Sequence, residues 1–209
     1  MNPFLLLCGS PRKSGNSDMA MAILAQSLAP LAQKEQFPPV QTLFVRDHRL
    51  LYCTGCNVCG HAQSILAQPH SPSARCPQYQ KDQSLALLAP LEQAGGLCII
   101  SPIQNYHLPA GLKALLDRLQ PWYTGKKGVE RTRPFFAVLI AGRPRGEKLF
   151  AGSLLTLRWA LAPLGYTLEP PLVLRGLDAP GDLAGDTASR EALTAYAAAM
   201  AARLSGGNP

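Results

Sequence analysis

A doubly wound α/β domain built on a parallel sheet is the fold class this sequence predicts, and three features predict it. Short strands and helical stretches alternate five times along the chain. The strands read as continuous apolar runs, such as residues 97–101 (LCIIS) and 135–141 (FFAVLIA), as expected for strands buried on both faces. A loop rich in glycine and serine joins the first strand to the first helix. Parallel neighbours need crossover connections about as long as a helix, and the helices then cover both faces of the sheet.

Each element can be justified in turn. Residues 3–8 (PFLLLC) are a short apolar run ending in a cysteine. No basic residue precedes them, the run is too short for an export signal, and Leu7 stands where a cleavage site needs a small residue. They read as the first strand, and a cytoplasmic location with reduced cysteines is expected. After the loop at 9–17, a helix runs from Ser17 or Asp18 to about Gln33. Met19, Ile23, Leu24, Leu28 and Leu31 mark its apolar face, and Asp18 lies in the first turn, where a carboxylate suits the helix dipole. Residues 40–45 form a second strand. Residues 46–81 are a long irregular segment holding four of the six cysteines. A helix at 84–93, a strand at 97–101, a helix at 109–119, a strand at 135–141 and a helix at 149–164 follow. A fifth strand at 167–174 and a last helix at 189–204 complete the pattern. No linker divides the chain. The reading is one domain over residues 1–204, with a cysteine-containing insertion at about 46–81 and a flexible tail at 205–209.

Composition narrows the function classes. The 209 residues are 47% hydrophobic and 16% charged, which excludes a disordered polar chain. No apolar run approaches the roughly 18 residues of a membrane span, and no membrane association is expected. The net charge of +7 suits anionic partners, but no helix carries a basic stripe, so nucleic-acid binding is not expected.

In a doubly wound sheet, ligands bind beyond the carboxyl ends of the strands, where the strand order reverses. The loop Gly9-Ser10-Pro11-Arg12-Lys13-Ser14-Gly15-Asn16-Ser17 lies at such a point. An anion there meets free backbone N–H groups at a helix start. Ser10, Ser14, Asn16 and Ser17 add neutral donors, Arg12 and Lys13 add charge, and Gly9 and Gly15 allow a tight turn. The loop has neither the GxGxxG nor the GxxxxGKS/T pattern, so it reads as a monophosphate site or as an ordinary polar turn with a serine cap. Cys53, Cys56 and Cys59 are spaced C-x2-C-x2-C, and Cys76 follows after sixteen residues, just before Pro77. Four such thiolates suit a 4Fe-4S cluster or tetrahedral zinc; free thiols or a redox disulfide are the other reading. Cys8 and Cys98 fall in strands and read as core residues. Between residues 126 and 148, Lys126, Lys127, Arg131, Arg133, Arg143, Arg145 and Lys148 outnumber Glu130 and Glu147.

The run GSPRKSGNS at 9–17 resembles the FMN-phosphate loop of the NADPH-dependent FMN reductase and iron–sulfur flavoprotein branch of the flavodoxin-like superfamily. Ser101-Pro102-Ile103-Gln104, followed by Leu112-Lys113-Ala114-Leu115-Leu116-Asp117-Arg118, resembles that family's SPxY and LKxxxDR segments. Cys53-Thr54-Gly55-Cys56-Asn57-Val58-Cys59 is similar to its CxGCxxC run. The resemblance implies a flavodoxin-like five-stranded parallel sheet of order 2-1-3-4-5. It also implies FMN as cofactor, with the phosphate on Ser10, Arg12, Ser14, Gly15, Asn16 and Ser17 and the ring on Pro102, Ile103, Gln104, Asn105 and Gly142. The implied activity is electron transfer from NAD(P)H through the flavin, with or without a 4Fe-4S cluster on Cys53, Cys56, Cys59 and Cys76, to a quinone, free flavin or metal acceptor. A homo-oligomer, dimer or tetramer, is implied as well. Two departures keep other readings open. Gln104 stands where the family has tyrosine, with Tyr106, Trp122 or Tyr123 as substitute aromatics, and Cys76 lies farther along than the family's fourth cysteine. The alternatives are a non-enzymatic FMN and iron–sulfur carrier fed by a ferredoxin-like donor and passing electrons to a partner protein, or a flavin-less module binding zinc or sensing redox state. Asp117 and Arg118 are expected to form a structural or intersubunit ion pair.

Overall fold

Strand β1 (Phe4–Cys8) is buried at all five positions and lies in the middle of the sheet, with neighbours on both sides. The structure, a computed structural model, describes residues 2–34, 36–61, 76–125 and 132–205. Most of the interval between Cys59 and Cys76, the basic residues Lys126, Lys127 and Arg131, and all of the expected tail except Ser205 lie outside the described residues. After β1 come α1 (Asn16–Gln33), β2 (Val40–Phe44), a 3-10 turn (Val45–Asp47), α2 (Val58–His61) and α3 (Leu85–Gln93). Then follow β3 (Gly96–Pro102), α4 (Ala110–Asp117), α5 (Gln120–Gly125), β4 (Arg133–Ala141) and α6 (Ala151–Leu161). The chain continues through β5 (Tyr166–Leu168), β6 (Leu172–Arg175), α7 (Asp182–Gly185) and α8 (Thr187–Ser205).

Every strand pair is parallel, and the order β2-β1-β3-β4-β5 is the expected 2-1-3-4-5. The fifth strand expected at 167–174 is broken in two. β5 pairs with β4 at Arg133–Phe135, and β6 pairs with it at Val138–Ala141, making a sixth strand on the same edge. The cause is local. Pro170 and Pro171 have no N–H to donate and interrupt the ladder between the two pieces.

Alternation along the central strands sorts the core into two layers. Leu5, Leu7, Leu97 and Ile99 face Leu87, Leu112, Leu115 and Leu157 of α3, α4 and α6. Phe4, Leu6, Cys8, Cys98 and Ile100 face Leu24, Leu28, Leu193 and Met200 of α1 and α8. Cys8 and Cys98 are fully buried, as expected, and burial pushes the Cys8 thiol up to about 11 and raises that of Cys98 as well.

Two aromatic and basic residues take structural roles. Trp122 is fully buried with its indole N–H on Glu92, 2.9 Å away, so it completes the core of its own chain. Arg133, at the amino end of β4, donates to the carbonyls of Glu92 and Ala94 and stacks over the Tyr166 ring. It therefore lies at the opposite edge of the sheet from the loops that follow the strands. Among the described residues, no helix is long and apolar enough to cross a membrane.

Candidate functional site

The strand register brings the ends of β1, β3, β4 and β6 to one edge: Cys8 lies beside Ile100, Pro102 beside Ile140, and Ala141 beside Arg175. The loops leaving that edge enclose a cavity of about 170 Å³. Ser10, Arg12, Gly15, Asn16 and Ser17 line it from the first loop, and Pro102, Ile103 and Gln104 from the third strand. Gly142 joins them from the loop after β4. Leu177 and Asp178, just after β6, complete the wall and carry no sequence signal. Asn105 lines an adjoining cavity of about 280 Å³, which shares Ile103, Gly142 and Asp178 with the first. The two cavities thus form one elongated cleft. Ser14 lines neither; its backbone N–H donates to Asp18 Oδ2 at 2.7 Å.

The first loop is shaped by its own side chains. Arg12 N–H donates to Ser10 Oγ at 3.2 Å, and α1 starts at Asn16; Asp18 and Met19 N–H already donate to the Gly15 carbonyl, which leaves the N–H groups of Asn16 and Ser17 without helical partners. Ser10 and Ser17 are buried with the cavity beside them. The Asn16 amide is engaged elsewhere: Nδ2 donates to the carbonyls of Leu177 and Ala179, at 3.2 and 3.0 Å, and Oδ1 accepts from Leu183 N–H. Asn16 therefore ties the first loop to the loop after β6, across both walls of the cleft.

At the other end, residues 104–107 form a tight turn. Gln104 and His107 exchange both backbone hydrogen bonds, while Asn105 (φ 46) and Tyr106 (φ 64) take left-handed conformations. Positive φ at both central positions is the type I′ pattern. For a tyrosine it is rare, a strain of the kind that clusters at functional sites. The turn leaves Tyr106 59% exposed, with the Arg143 guanidinium 5.1 Å from its ring centroid. His107 Nε2 lies 3.2 Å from Thr156 Oγ1 on α6. Opposite, any Cβ at Gly142 would collide with the Asp178 side chain, so glycine is required for the two loops to meet.

The cysteine segment borders a further cavity. Cys53, Cys56, Cys59 and Cys76 all line one cavity of about 540 Å³, together with Asp117 and Gln120. Burial, and then the neighbouring thiols, push the Cys59 thiol up. Among the described residues, no three His, Cys, Asp or Glu side chains gather closely enough to hold a metal ion. Beneath this cavity is an ion pair the sequence reading missed. Arg118 Nη1 meets Asp82 Oδ2 at 2.6 Å with both side chains fully buried, whereas Asp117 pairs with Lys113 on the surface of α4. Within the chain Asp117 and Arg118 do not pair with each other, because adjacent residues on a helix do not face each other. Asp82 also accepts from Leu51 N–H, Ser84 N–H and Ser84 Oγ, and Arg118 also donates to the Leu51 carbonyl at 2.9 Å.

Comparison with known proteins gives one family. Residues 3–160 match the family model for NADPH-dependent FMN reductase. Among solved structures, an FMN-dependent NADH-azoreductase from Bacillus anthracis, in complex with FMN, has a TM-score of 0.65 at 13% identity, covering 96% of this chain and 100% of that one. NAD(P)H:quinone oxidoreductase from Methanothermobacter marburgensis has a TM-score of 0.63 at 15% identity, covering 97% and 98%. RosB, solved with a bound flavin-type intermediate, has a TM-score of 0.63 at 17% identity, covering 98% of this chain and 80% of that one. At these identities the likeness is one of fold. No curated sequence matches the chain.

The buried pair sets an acid limit on stability. Burial opposes the Asp82 charge, but the Ser84 hydroxyl, the Leu51 and Ser84 amides and Arg118 outweigh it and hold the carboxyl below its usual 3.8. Its contribution is full above that value and is lost as pH falls through the lowered one. Asp82→Asn leaves Arg118 buried without its counter-ion and is expected to cost about 3–5 kcal/mol near neutral pH. Urea midpoints from pH 2 to 7 should show the gap between wild type and variant closing only at the acid end.

Proposed function

Because this chain belongs to the NADPH-dependent FMN reductase family of oxidoreductases, we propose that its cleft holds FMN and passes two electrons from NAD(P)H to a quinone-type acceptor. The observation that carries this reading is the elongated cleft, with a helix start, two serines and Arg12 at one end and Gly142 and the 102–106 turn at the other. The donor set fits a phosphate: the Ser17 hydroxyl, the N–H groups of Asn16 and Ser17 opening α1, and a guanidinium for short charge-assisted bonds, with the Ser10 hydroxyl, turned to the Arg12 carbonyl, beside them. At the other end, Gly142 lines both cavities, and the Gln104 amide offers both a donor and an acceptor to a polar ring edge.

Bound there, FMN supplies hydride acceptance from the nicotinamide and two-electron reduction of the acceptor. The chain's own part is to bind and orient. Gln104 replaces the family's tyrosine, and the Tyr106–Arg143 stack provides a flat aromatic surface beside it. Arg143, Arg145 and Lys148 are exposed on the loop after β4 and offer charge to the phosphates of NAD(P)H. Asn16 acts as a strut between the two loops of the phosphate end, in place of the direct phosphate donor that composition suggested. Leu155 and Trp159, exposed at 58% and 52% one turn apart on α6, support the dimer or tetramer that the resemblance implies.

The cysteine cavity supports a second redox group. Four thiols line one cavity, and the short C-x2-C-x2-C spacing with a remote fourth cysteine suits a 4Fe-4S cluster. Cys53, Cys56, Cys59 and Cys76 are the four ligands of this reading.

The test of the flavin is a visible spectrum of anaerobically purified protein, before and after acid precipitation. Flavin bands released into the supernatant support the reading; protein that is colourless, and stays so after FMN is added, overturns it. Asn16→Asp puts a carboxylate against two carbonyls, and about a tenfold loss of FMN affinity or more is expected from losing those bonds. For the cysteines, the wild type should contain iron and acid-labile sulfide, and Cys56→Ser should lose both while retaining FMN.

A further inference from the structure

The phosphate end of the cleft is braced from behind by a residue that belongs to none of the motifs. Arg46 follows β2, its side chain is 11% exposed, and it does not line the 170 Å³ cavity. It lines instead a neighbouring cavity with Gly9, Ser10 and Pro11, which shares Ser10 and Gln104 with the first. Its guanidinium grips both oxygens of Asp18, at 2.7 and 2.9 Å, and lies 4.3 Å from the Phe44 ring centroid. The same Nη1 reaches the carbonyls of Arg12, at 3.1 Å, and Ser10, at 3.4 Å. Asp18 Oδ2 in turn accepts the N–H of Ser14, which takes a left-handed φ of 56°.

These contacts have two consequences for an anion on the other side of the loop. In a trans peptide the C=O and N–H point in opposite directions, so turning the Arg12 carbonyl towards Arg46 turns the Lys13 N–H away from it. The loop is thus fixed in one shape before any ligand arrives, although Ser14 is strained in that shape. The second consequence is electrostatic. Asp18 lies in the first turn of α1, one residue beyond Ser17, and an unpaired carboxylate there would repel a phosphate. The bidentate pair with Arg46 cancels that charge.

We infer that Arg46 is a positioning residue for the flavin phosphate, acting through Asp18 and the backbone of residues 10–14. The inference rests on the FMN reading of the cleft. It predicts that Arg46 discriminates between FMN and riboflavin, which differ only in the phosphate, and that its loss is partly repaired by removing the Asp18 charge.

The experiment is a titration of apo-protein with FMN and with riboflavin, for wild type, Arg46→Gln, Asp18→Asn and the double variant. Amide exchange at Ser14 is followed in the same ligand-free proteins. Arg46→Gln is expected to weaken FMN about 10- to 100-fold, from the loss of charge-assisted bonds, and riboflavin less than about threefold. The double variant should bind FMN more tightly than Arg46→Gln alone, and the Ser14 amide should exchange faster in Arg46→Gln than in wild type. If Arg46→Gln does not fold by circular dichroism, Arg46→Lys, which keeps the charge and loses the fork, carries the same comparison with a smaller loss. Equal weakening of both ligands, no weakening of FMN, a double variant worse than the single one, or unchanged Ser14 exchange each overturns the role of Arg46. Wild-type protein that binds neither flavin overturns the FMN reading itself, and this inference with it.

Discussion

In the register between β1 and β3, Cys8 lies beside Ile100, and in that between β3 and β4, Pro102 lies beside Ile140. This parallel alignment is the constraint on which the cleft depends. Parallel strands release their last peptide groups at one edge, and helices on both faces leave that edge as the open side. The loops after β1, β3 and β4 meet there because the strands beneath them are buried and in register. The side chains at positions 10–17, 102–105 and 142 are then brought together from parts of the chain that are far apart in sequence.

Charged groups serve as internal framework at two further places. Asp18–Arg46 stands behind the first loop, and Asp82–Arg118 lies under the cysteine segment. In both, a guanidinium bonds to main-chain carbonyls as well as to a carboxylate, so the pair secures backbone that belongs to no sheet or long helix. Such pairs contribute little net stability compared with apolar packing, yet breaking one partner is costly, which suits them to holding irregular chain in one shape.

Much of this was legible in the sequence. The strand–helix alternation followed from apolar runs, and the order 2-1-3-4-5 from the resemblance carried by three local motifs; one of those motifs also holds Ser10, Arg12, Gly15, Asn16 and Ser17, which line the cleft. Three features were not legible, for a common reason. Asn16 bonds to Leu177 and Ala179, Arg46 to Asp18, and Arg118 to Asp82, each across a long stretch of chain that no periodicity reports. Arg133, counted among the basic residues of a loop, turned out to seal the far end of β4, because charge counting along a sequence does not distinguish the two edges of a sheet. The split of the last strand was written in Pro170 and Pro171, but only pairing of both pieces with β4 reveals that they share one edge.

The main chain on either side of the cysteine segment is clasped before the segment begins and after it ends. Arg49 and Gln83 exchange backbone and side-chain bonds, Arg49 reaches the Lys81 carbonyl, Leu51 is held by both Asp82 and Arg118, and Tyr79 donates to the Arg118 carbonyl. The closure of this long excursion is therefore made by the domain itself, whatever the thiols bind. Doubling the length of a flexible loop between fixed ends adds only about 0.6 kcal/mol. Changing the number of residues between these anchors would therefore add little closure entropy, and the anchors at Arg49, Leu51, Asp82 and Arg118 lie outside the cysteine run.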